Sequence, residues 1–140
     1  MSKTWDVVIV VSGNAGLCAG IAACEGGAKV LMIEKADRDM AGGNTKYTAG
    51  AMRFAYNTNA DLLPLLAAPD DPRLSRTDFG SYTEEKFATD LLGFNDGASL
   101  TEEQHILVSQ SYDTMVWLAG HGVTYDPIWA RQSFEKNEQI

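Results

Sequence analysis

The chain is short of cysteine, histidine and positive charge. Its 140 residues include two cysteines, two histidines and 11 Lys and Arg against 19 Asp and Glu, which gives a net charge of −8. This deficit of positive charge argues against a nucleic-acid backbone or an anionic membrane surface as a partner. No apolar run approaches transmembrane length and no signal-peptide core opens the sequence, so we expect a cytoplasmic protein without membrane insertion.

The two cysteines do not form a disulfide framework. Cys18 and Cys24 lie six residues apart on one predicted helix. That spacing cannot close a disulfide within a regular helix, so both are expected to be packing residues in a reducing compartment. A chain of this length supports one modest core.

What the N-terminal part does contain is the pattern of a dinucleotide-binding βαβ unit. Residues 6–11 form a short β-branched run, which predicts a strand buried on both faces of a parallel sheet. Residues 12–16 turn the chain into a helix whose free N–H groups point at an anion, and Gly26-Gly27 ends that helix. Residues 29–33 predict the second strand, and Glu34 follows at the spacing where a carboxylate accepts hydrogen bonds from a ribose 2′-OH.

Small residues let the predicted helix approach the strand and the ligand closely. Gly13 leaves no side chain between the backbone and a pyrophosphate, and Gly16 lets helix and strand pack closely. Alanines at i, i+4, i+7 and i+8 predict a small-residue stripe that lies against the sheet: Ala15, Ala19, Ala22 and Ala23.

Val11 departs from the Gly-x-Gly-x-x-Gly pattern, because it stands where the first glycine makes the tight turn. A β-branched residue at positive φ is an outlier, with strain on the order of 1–3 kcal/mol. Two alternatives follow: the turn relaxes and the cofactor binds more weakly, or Val11 extends the first strand by one residue.

A second glycine-rich stretch follows the predicted unit. Residues 40–45, Met-Ala-Gly-Gly-Asn-Thr, form a loop whose flexible backbone can wrap an extended ligand. Residues 47–52 offer small side chains and backbone N–H groups suited to lying against a flat ring. Taken alone, this stretch is explained equally well as a mobile surface loop.

In this order the segments resemble the fumarate reductase/succinate dehydrogenase flavoprotein family. The resemblance depends on Val-Ser-Gly-Asn-Ala-Gly at 11–16, Glu34-Lys35, Gly-Gly-Asn-Thr at 42–45 and Thr-Ala-Gly at 48–50. Within the family, residues 43–56 and 111–118 look like the FAD-dependent tricarballylate dehydrogenases. The implied fold is α/β, the N-terminal part of a Rossmann-like FAD/NAD(P)-binding fold with a helical extension.

The resemblance implies FAD as the cofactor and assigns its contacts by position. The pyrophosphate would be cradled by Ser12, Gly13, Asn14, Ala15 and Gly16. The adenosine ribose would meet Glu34, with Lys35 beside it. The pyrophosphate and ribityl region would contact Gly43, Asn44 and Thr45, and the isoalloxazine would lie along Thr48, Ala49 and Gly50.

The whole chain, 1–140, is predicted to be a partial FAD-binding domain: residues 1–56 form the nucleotide-binding core and flavin-contacting loop, and 57–140 a loop and helical extension. The first part of the extension, 57–76, predicts a loop with at most one helical turn around 62–66. Residues 81–84, Ser-x-x-Glu, predict a capping box that opens a helix to about Gly93.

The rest of the extension predicts one long helix. Residues 95–97, Asn-Asp-Gly, indicate a turn, and Thr-x-x-Gln at 101–104 caps a helix that ends at Gly120. Residues 122–126 predict a short strand.

No residue is assigned a catalytic role. His105 and His121 lie near helix ends without a paired partner at readable spacing. Arg53 and Arg131 have the chemistry to bind carboxylates, but a surface position explains them better.

Family members carry a separate capping domain and a C-terminal segment that completes flavin binding, and the substrate-clamping residues lie there. This sequence contains neither, so we expect an N-terminal fragment with the capping domain absent. Its function would then be the FAD-binding part of an oxidoreductase that moves a hydride between a di- or tricarboxylate and flavin N5. A carboxylate substrate and an electron-transfer protein would be its partners once the missing half is supplied.

The alternative is a non-catalytic remnant with weak or no nucleotide binding. An NAD-binding regulatory module is a third hypothesis, and residues 42–45 argue against it because they resemble flavin-binding apparatus.

Overall fold

The computed structural model describes residues 3–132, which belong to two compact units, Met1–Met52 and Arg53–Ile140. The first unit is a βαβ arrangement. Its elements are β1 (Val7–Val10), α1 (Asn14–Glu25), β2 (Val30–Ile33) and a 3-10 helix (Gly43–Tyr47). The strands pair in parallel with Val7 opposite Val30 and Val10 opposite Ile33, so the βαβ prediction is confirmed.

Among the described residues of the first unit, α1 covers one face of this two-stranded sheet. Ile9 and Met32 point toward α1, where their terminal carbons lie 3.4 Å from the position that a Cβ at Gly20 would occupy. On the other face Val8 and Val10 are 54% and 67% exposed. The prediction of a strand buried on both faces is therefore wrong for the described residues, because helix α1 packs on one side of the sheet only.

The rotation of α1 also differs from the prediction. Its buried residues are Gly16 and Gly20, while Ala15, Ala19 and Ala22 are exposed, so the alanine stripe is not the contact face. The reason is local: a Cβ at position 16 would lie 2.6 Å from the Val11 carbonyl oxygen. Glycine at 16 permits this approach and thereby fixes which side of the helix meets the strand.

The second unit is helical within its described residues. Its helices are α2 (Asn59–Leu62), α3 (Glu84–Leu92), α4 (Glu102–Ser109), α5 (Ser111–Gly120) and α6 (Trp129–Gln132), with 3-10 helices at Leu63–Leu65 and Leu74–Arg76. Ala55, Phe87 and Val108 form a buried cluster, against which Tyr82 and Leu91 pack.

The N-terminal caps of α3 and α4 can be compared with the two capping boxes that the sequence predicts. The cap of α3 is Thr83, whose hydroxyl accepts a hydrogen bond from the Lys86 N–H, so the prediction of a capping box at Ser81 is wrong. The capping box of Thr101 and Gln104 on α4 is confirmed. Because serine and threonine cap helices by the same chemistry, residue spacing alone does not show which of Ser81 and Thr83 is the cap.

The predicted long helix is two helices. It breaks at Gln110, with φ −103° and ψ 4°, between α4 and α5. The buried Ser111 hydroxyl donates to the Val108 carbonyl oxygen over 2.9 Å and accepts from the Ala55 N–H over 2.9 Å. Because serine competes for a backbone carbonyl in this way, the helix is interrupted there.

Three smaller predictions have mixed outcomes. The turn at 95–97 is confirmed, with Asp96 and Gly97 both at positive φ. The segment 57–76 is more helical than predicted, because Thr58 and Asp61 form a capping box that starts α2. The predicted strand at 122–126 is reduced to a single bridge between Leu66 and Tyr125.

Candidate functional site

The candidate site lies in the first unit, where β1 ends and α1 begins. Gly13 is the N-cap of α1, and its carbonyl oxygen accepts the first helical hydrogen bond, from the Leu17 N–H over 3.0 Å. The Asn14 N–H donates to the Thr45 hydroxyl oxygen over 3.0 Å. Within residues 3–132 no hydrogen bond uses the N–H of Ala15 or Gly16, which leaves both as donors for an anion at the helix start.

Close backbone contacts restrict the side chain at two positions of this turn, more strongly at Gly16 than at Gly13. A Cβ at Gly13 would lie 3.2 Å from the Gly42 carbonyl oxygen and 3.4 Å from the Thr45 hydroxyl oxygen. A Cβ at Gly16 would lie 2.6 Å from the Val11 carbonyl oxygen. The turn is thus tight at both positions, as a cradle for a pyrophosphate requires.

Val11 does not extend β1, which ends at Val10. Its φ is 157°, close to the extended limit of the positive-φ region, so its strain belongs at the low end of about 1–3 kcal/mol. The side chain is 51% exposed, and one of its methyl carbons lies 2.7 Å from the position that a Cβ at Gly16 would take. Valine is accommodated here because residue 16 has no side chain.

Glu34 follows β2 and approaches the turn. One carboxylate oxygen accepts hydrogen bonds from the Ser12 N–H, over 3.0 Å, and from the Ser12 hydroxyl. The other oxygen accepts from the Ala36 N–H over 2.9 Å. The Ala36 N–H and then the Ser12 hydroxyl lower the Glu34 pKa from 4.5 to about 2. The result is an exposed carboxylate that stays ionised at neutral pH, as an acceptor of ribose hydroxyls must be.

The glycine-rich loop at 42–45 contacts the same turn. Gly42 adopts φ 107° and its N–H donates to the Ser12 hydroxyl oxygen over 3.1 Å. Thr45 accepts from Asn14, so the loop is attached at two points. The contact of Ser12 with both Glu34 and Gly42 was not predicted. The available signal was the one hydroxyl side chain between Val11 and Gly13.

The remaining residues that were predicted to contact the cofactor have fewer hydrogen bonds to the rest of the site. Thr48 donates to the Thr45 carbonyl oxygen over 3.1 Å and accepts from the Gly50 N–H over 3.3 Å. Within the described part of the chain, no hydrogen bond joins Thr48, Ala49 or Gly50 to the turn at 12–16. Lys35 is exposed beside Glu34. The structure therefore joins the residues predicted for the adenosine and pyrophosphate, and leaves those predicted for the flavin ring apart.

Two candidates of the second unit, Arg53 and His121, have contacts within that unit. Arg53 pairs with Asp90 at 3.1 Å, and the Tyr82 hydroxyl donates to the same carboxylate oxygen over 2.7 Å. Desolvation, with Asp90 contributing, raises the Tyr82 pKa. A ring nitrogen of His121 lies 2.8 Å from the Trp117 carbonyl oxygen.

The two other candidates from the sequence, His105 and Arg131, are not assigned to the candidate site. His105 is exposed on α4, and its N–H bonds to the Thr101 carbonyl oxygen. The side chain of Arg131 lies outside the described residues. Between residues 3 and 132, no cluster of His, Cys, Asp and Glu could hold a metal ion, and no helix is long and apolar enough to span a bilayer.

The first unit has the features of a nucleotide-binding βαβ unit: a strand, a tight glycine turn, a helix start and an acid after the second strand. The attached loop at 42–45 is typical of the units that bind FAD. A family model described as an FAD binding domain matches residues 6–138. The chain belongs to this family of FAD-binding domains, found in flavin oxidoreductases such as fumarate reductase, and its cofactor is FAD.

Curated relatives agree with this assignment. The chain is 32% identical to digoxin reductase of Eggerthella lenta over 132 residues, which are 89% of this chain and 21% of that protein. It is 42% identical to the cytochrome fumarate reductase of Shewanella frigidimarina over 67 residues, 48% of this chain and 11% of that one. It is 28% identical to urocanate reductase of Eggerthella lenta over 123 residues, 87% and 18% of the two chains. The chain thus spans about a fifth or less of each relative's length, and the predicted flavoprotein family is confirmed.

Proposed function

We propose that this chain forms the adenosine- and pyrophosphate-binding part of a flavin-dependent oxidoreductase that acts on a di- or tricarboxylate and resembles the tricarballylate dehydrogenases. The observation that carries the proposal is the joining of Glu34, the turn at 12–16 and the loop at 42–45 by hydrogen bonds. These are the three segments that must converge to hold one extended dinucleotide.

Each segment has a defined part in binding. The N–H groups of Ala15 and Gly16 would hold the phosphates, because the helix start favours negative charge. The ionised Glu34 accepts from a ribose hydroxyl and disfavours a 2′-phosphate at that place by charge repulsion. Thr45 accepts from Asn14 and keeps its own hydroxyl hydrogen for a phosphate oxygen.

The reaction class rests on the cofactor and the relatives. When bound, FAD supplies a two-electron hydride donor and acceptor at flavin N5. The matched relatives are named as reductases of digoxin, fumarate and urocanate, and two of these compounds are unsaturated carboxylates. This supports hydride transfer at a carbon–carbon bond that, in its unsaturated form, is conjugated with a carboxylate. No residue between 3 and 132 is proposed as the proton donor.

The direct test is to purify the chain from cells and examine it for bound flavin. We expect a yellow protein whose flavin co-elutes with the polypeptide in gel filtration and is released as FAD on denaturation. A colourless protein that also fails to take up added FAD would contradict the proposal.

The same experiment addresses the remnant alternative. One observation favours that alternative: Val11 in place of the first glycine, at φ 157°. Under it, the chain would remain colourless and Val11→Gly would restore flavin uptake. Stoichiometric FAD on the unaltered chain would exclude it.

A further inference from the structure

Ser12 makes more polar contacts than any other side chain of the turn at 12–16 for which hydrogen bonds are described. Its N–H and its hydroxyl both donate to the same oxygen of Glu34, the N–H over 3.0 Å. Its hydroxyl oxygen also accepts from the Gly42 N–H over 3.1 Å. One small side chain therefore links the ends of both strands to the glycine-rich loop.

These contacts determine which part of the Glu34 carboxylate is open. A carboxylate has about four lone-pair positions. Ser12 takes two of them on one oxygen and the Ala36 N–H takes one on the other. The Lys35 N–H adds a further contact, so the orientation of the carboxylate is set before any ligand arrives. A ribose hydroxyl would be accepted by the oxygen that Ser12 does not contact.

The second contact sets the place of the loop. Gly42 has φ 107°, a conformation that glycine adopts without strain, and its N–H points at the Ser12 hydroxyl. The next anchor, from the Asn14 N–H to Thr45, lies three residues along the loop. Losing the Ser12 contact would leave the loop attached to the turn by one described hydrogen bond.

We propose that Ser12 is a positioning residue that couples the ribose-binding carboxylate of Glu34 to the Gly42–Thr45 loop, so that the adenosine and pyrophosphate parts of the site are arranged together. A small hydroxyl side chain suits this place, because it donates to the carboxylate and accepts from the backbone at once. The inference rests on the proposed function, since it assigns Glu34 to an adenosine ribose.

The test compares Ser12→Thr with Ser12→Val, two side chains of equal shape that differ in the hydroxyl. ADP serves as the probe, because it carries the ribose and pyrophosphate without the flavin. We expect Ser12→Val to weaken ADP binding about tenfold and Ser12→Thr to stay within about twofold of the unaltered chain. Equal ADP affinity for the two variants would overturn the role of Ser12.

A double-mutant cycle separates coupling from general damage. If Ser12 acts through Glu34, adding Ser12→Val to Glu34→Gln should cost less than about threefold in ADP affinity. A further tenfold loss in that background would show that Ser12 acts independently of Glu34 and would overturn the proposal.

Two measurements without nucleotide complete the test. By NMR, Ser12→Val should raise the Glu34 pKa from about 2 toward 4.5 and speed hydrogen exchange at the Gly42 N–H, while Ser12→Thr should change neither. An unchanged Glu34 pKa and Gly42 exchange rate in Ser12→Val would contradict the coupling. If the unaltered chain binds no ADP, the proposed function fails as well; if it binds ADP and only the variants disagree, the failure is confined to Ser12.

Discussion

The two units are stabilised in different ways. In the second unit buried apolar side chains form a core: Ala55, Leu65, Leu74, Phe87, Val108, Met115 and Leu118. Among the described residues of the first unit, the buried positions are the glycines Gly16 and Gly20, and Val8 and Val10 of β1 are largely exposed on one face. What the first unit has instead is a set of hydrogen bonds around Ser12 and Glu34.

This difference suggests a division between stability and binding. Burial of large apolar groups is the main source of folding free energy, and the second unit supplies it. The first unit instead has close backbone contacts and fixed polar groups. Such features form a ligand site but add little to the free energy of unfolding. Changes in the second unit should thus affect unfolding, whereas changes in the first should affect binding.

The largest effect is expected from Phe87→Ala. Phe87 is 3% exposed, and its removal should lower the free energy of unfolding by about 3–5 kcal/mol. Urea unfolding followed by circular dichroism measures this, with Phe94→Ala as the matched control because Phe94 is 85% exposed. FAD affinity, measured well below the unfolding midpoint, should be unchanged in both. Similar unfolding curves for the two variants would contradict the assignment of the core.

Gly16→Ala should weaken FAD binding by about 5- to 150-fold. The added Cβ would lie 2.6 Å from the Val11 carbonyl oxygen, so α1 must move away from β1, at a cost of about 1–3 kcal/mol. The control is Gly20→Ala on the same face, where the Cβ would make ordinary 3.4 Å contacts with Ile9 and Met32. We expect that variant to bind FAD normally. Equal FAD affinities for the two variants would refute the close approach at Gly16.

Val11→Gly should tighten FAD binding a few-fold. The substitution relieves backbone strain of at most about 1–3 kcal/mol and removes an isopropyl group beside the helix start. Against this, ordering a glycine on folding costs about 0.5–1 kcal/mol more in chain entropy. Fluorescence titration with FAD measures the change. Val10→Gly, the same change one residue earlier, should leave FAD affinity unaltered. No change in affinity for Val11→Gly would contradict the view that valine weakens this site.

The smallest effect concerns a helix cap in the second unit. Thr83→Ala should lower the free energy of unfolding by about 1 kcal/mol, because it removes the acceptor for the Lys86 N–H. Ser81→Ala should leave the unfolding midpoint almost unchanged. The reverse order of effects would restore the capping box predicted from the sequence.

Much of the first unit could be predicted because its rules are local. The parallel pairing of β1 with β2, the glycine turn and the position of Glu34 follow from residue spacing. The rotation of α1 could not be predicted from the alanines, because a single backbone contact at Gly16 decides it.

The failures in the second unit have another origin. The break at Gln110 precedes Ser111, whose hydroxyl donates to the Val108 carbonyl oxygen and accepts from the Ala55 N–H, 56 positions away. The spacing of apolar residues does not show where a serine competes for a backbone carbonyl, so an interrupted helix looks continuous in the sequence. The link between Ser12 and Gly42 was missed because its partners are 30 residues apart.

The central claim is that the first unit recognises the adenosine and pyrophosphate half of FAD. The most direct measurement is competition: the protein is loaded with FAD and titrated separately with ADP and with riboflavin, while the release of FAD is followed by its fluorescence. We predict that ADP displaces FAD and that riboflavin does not. Displacement by riboflavin with no effect of ADP would contradict the claim.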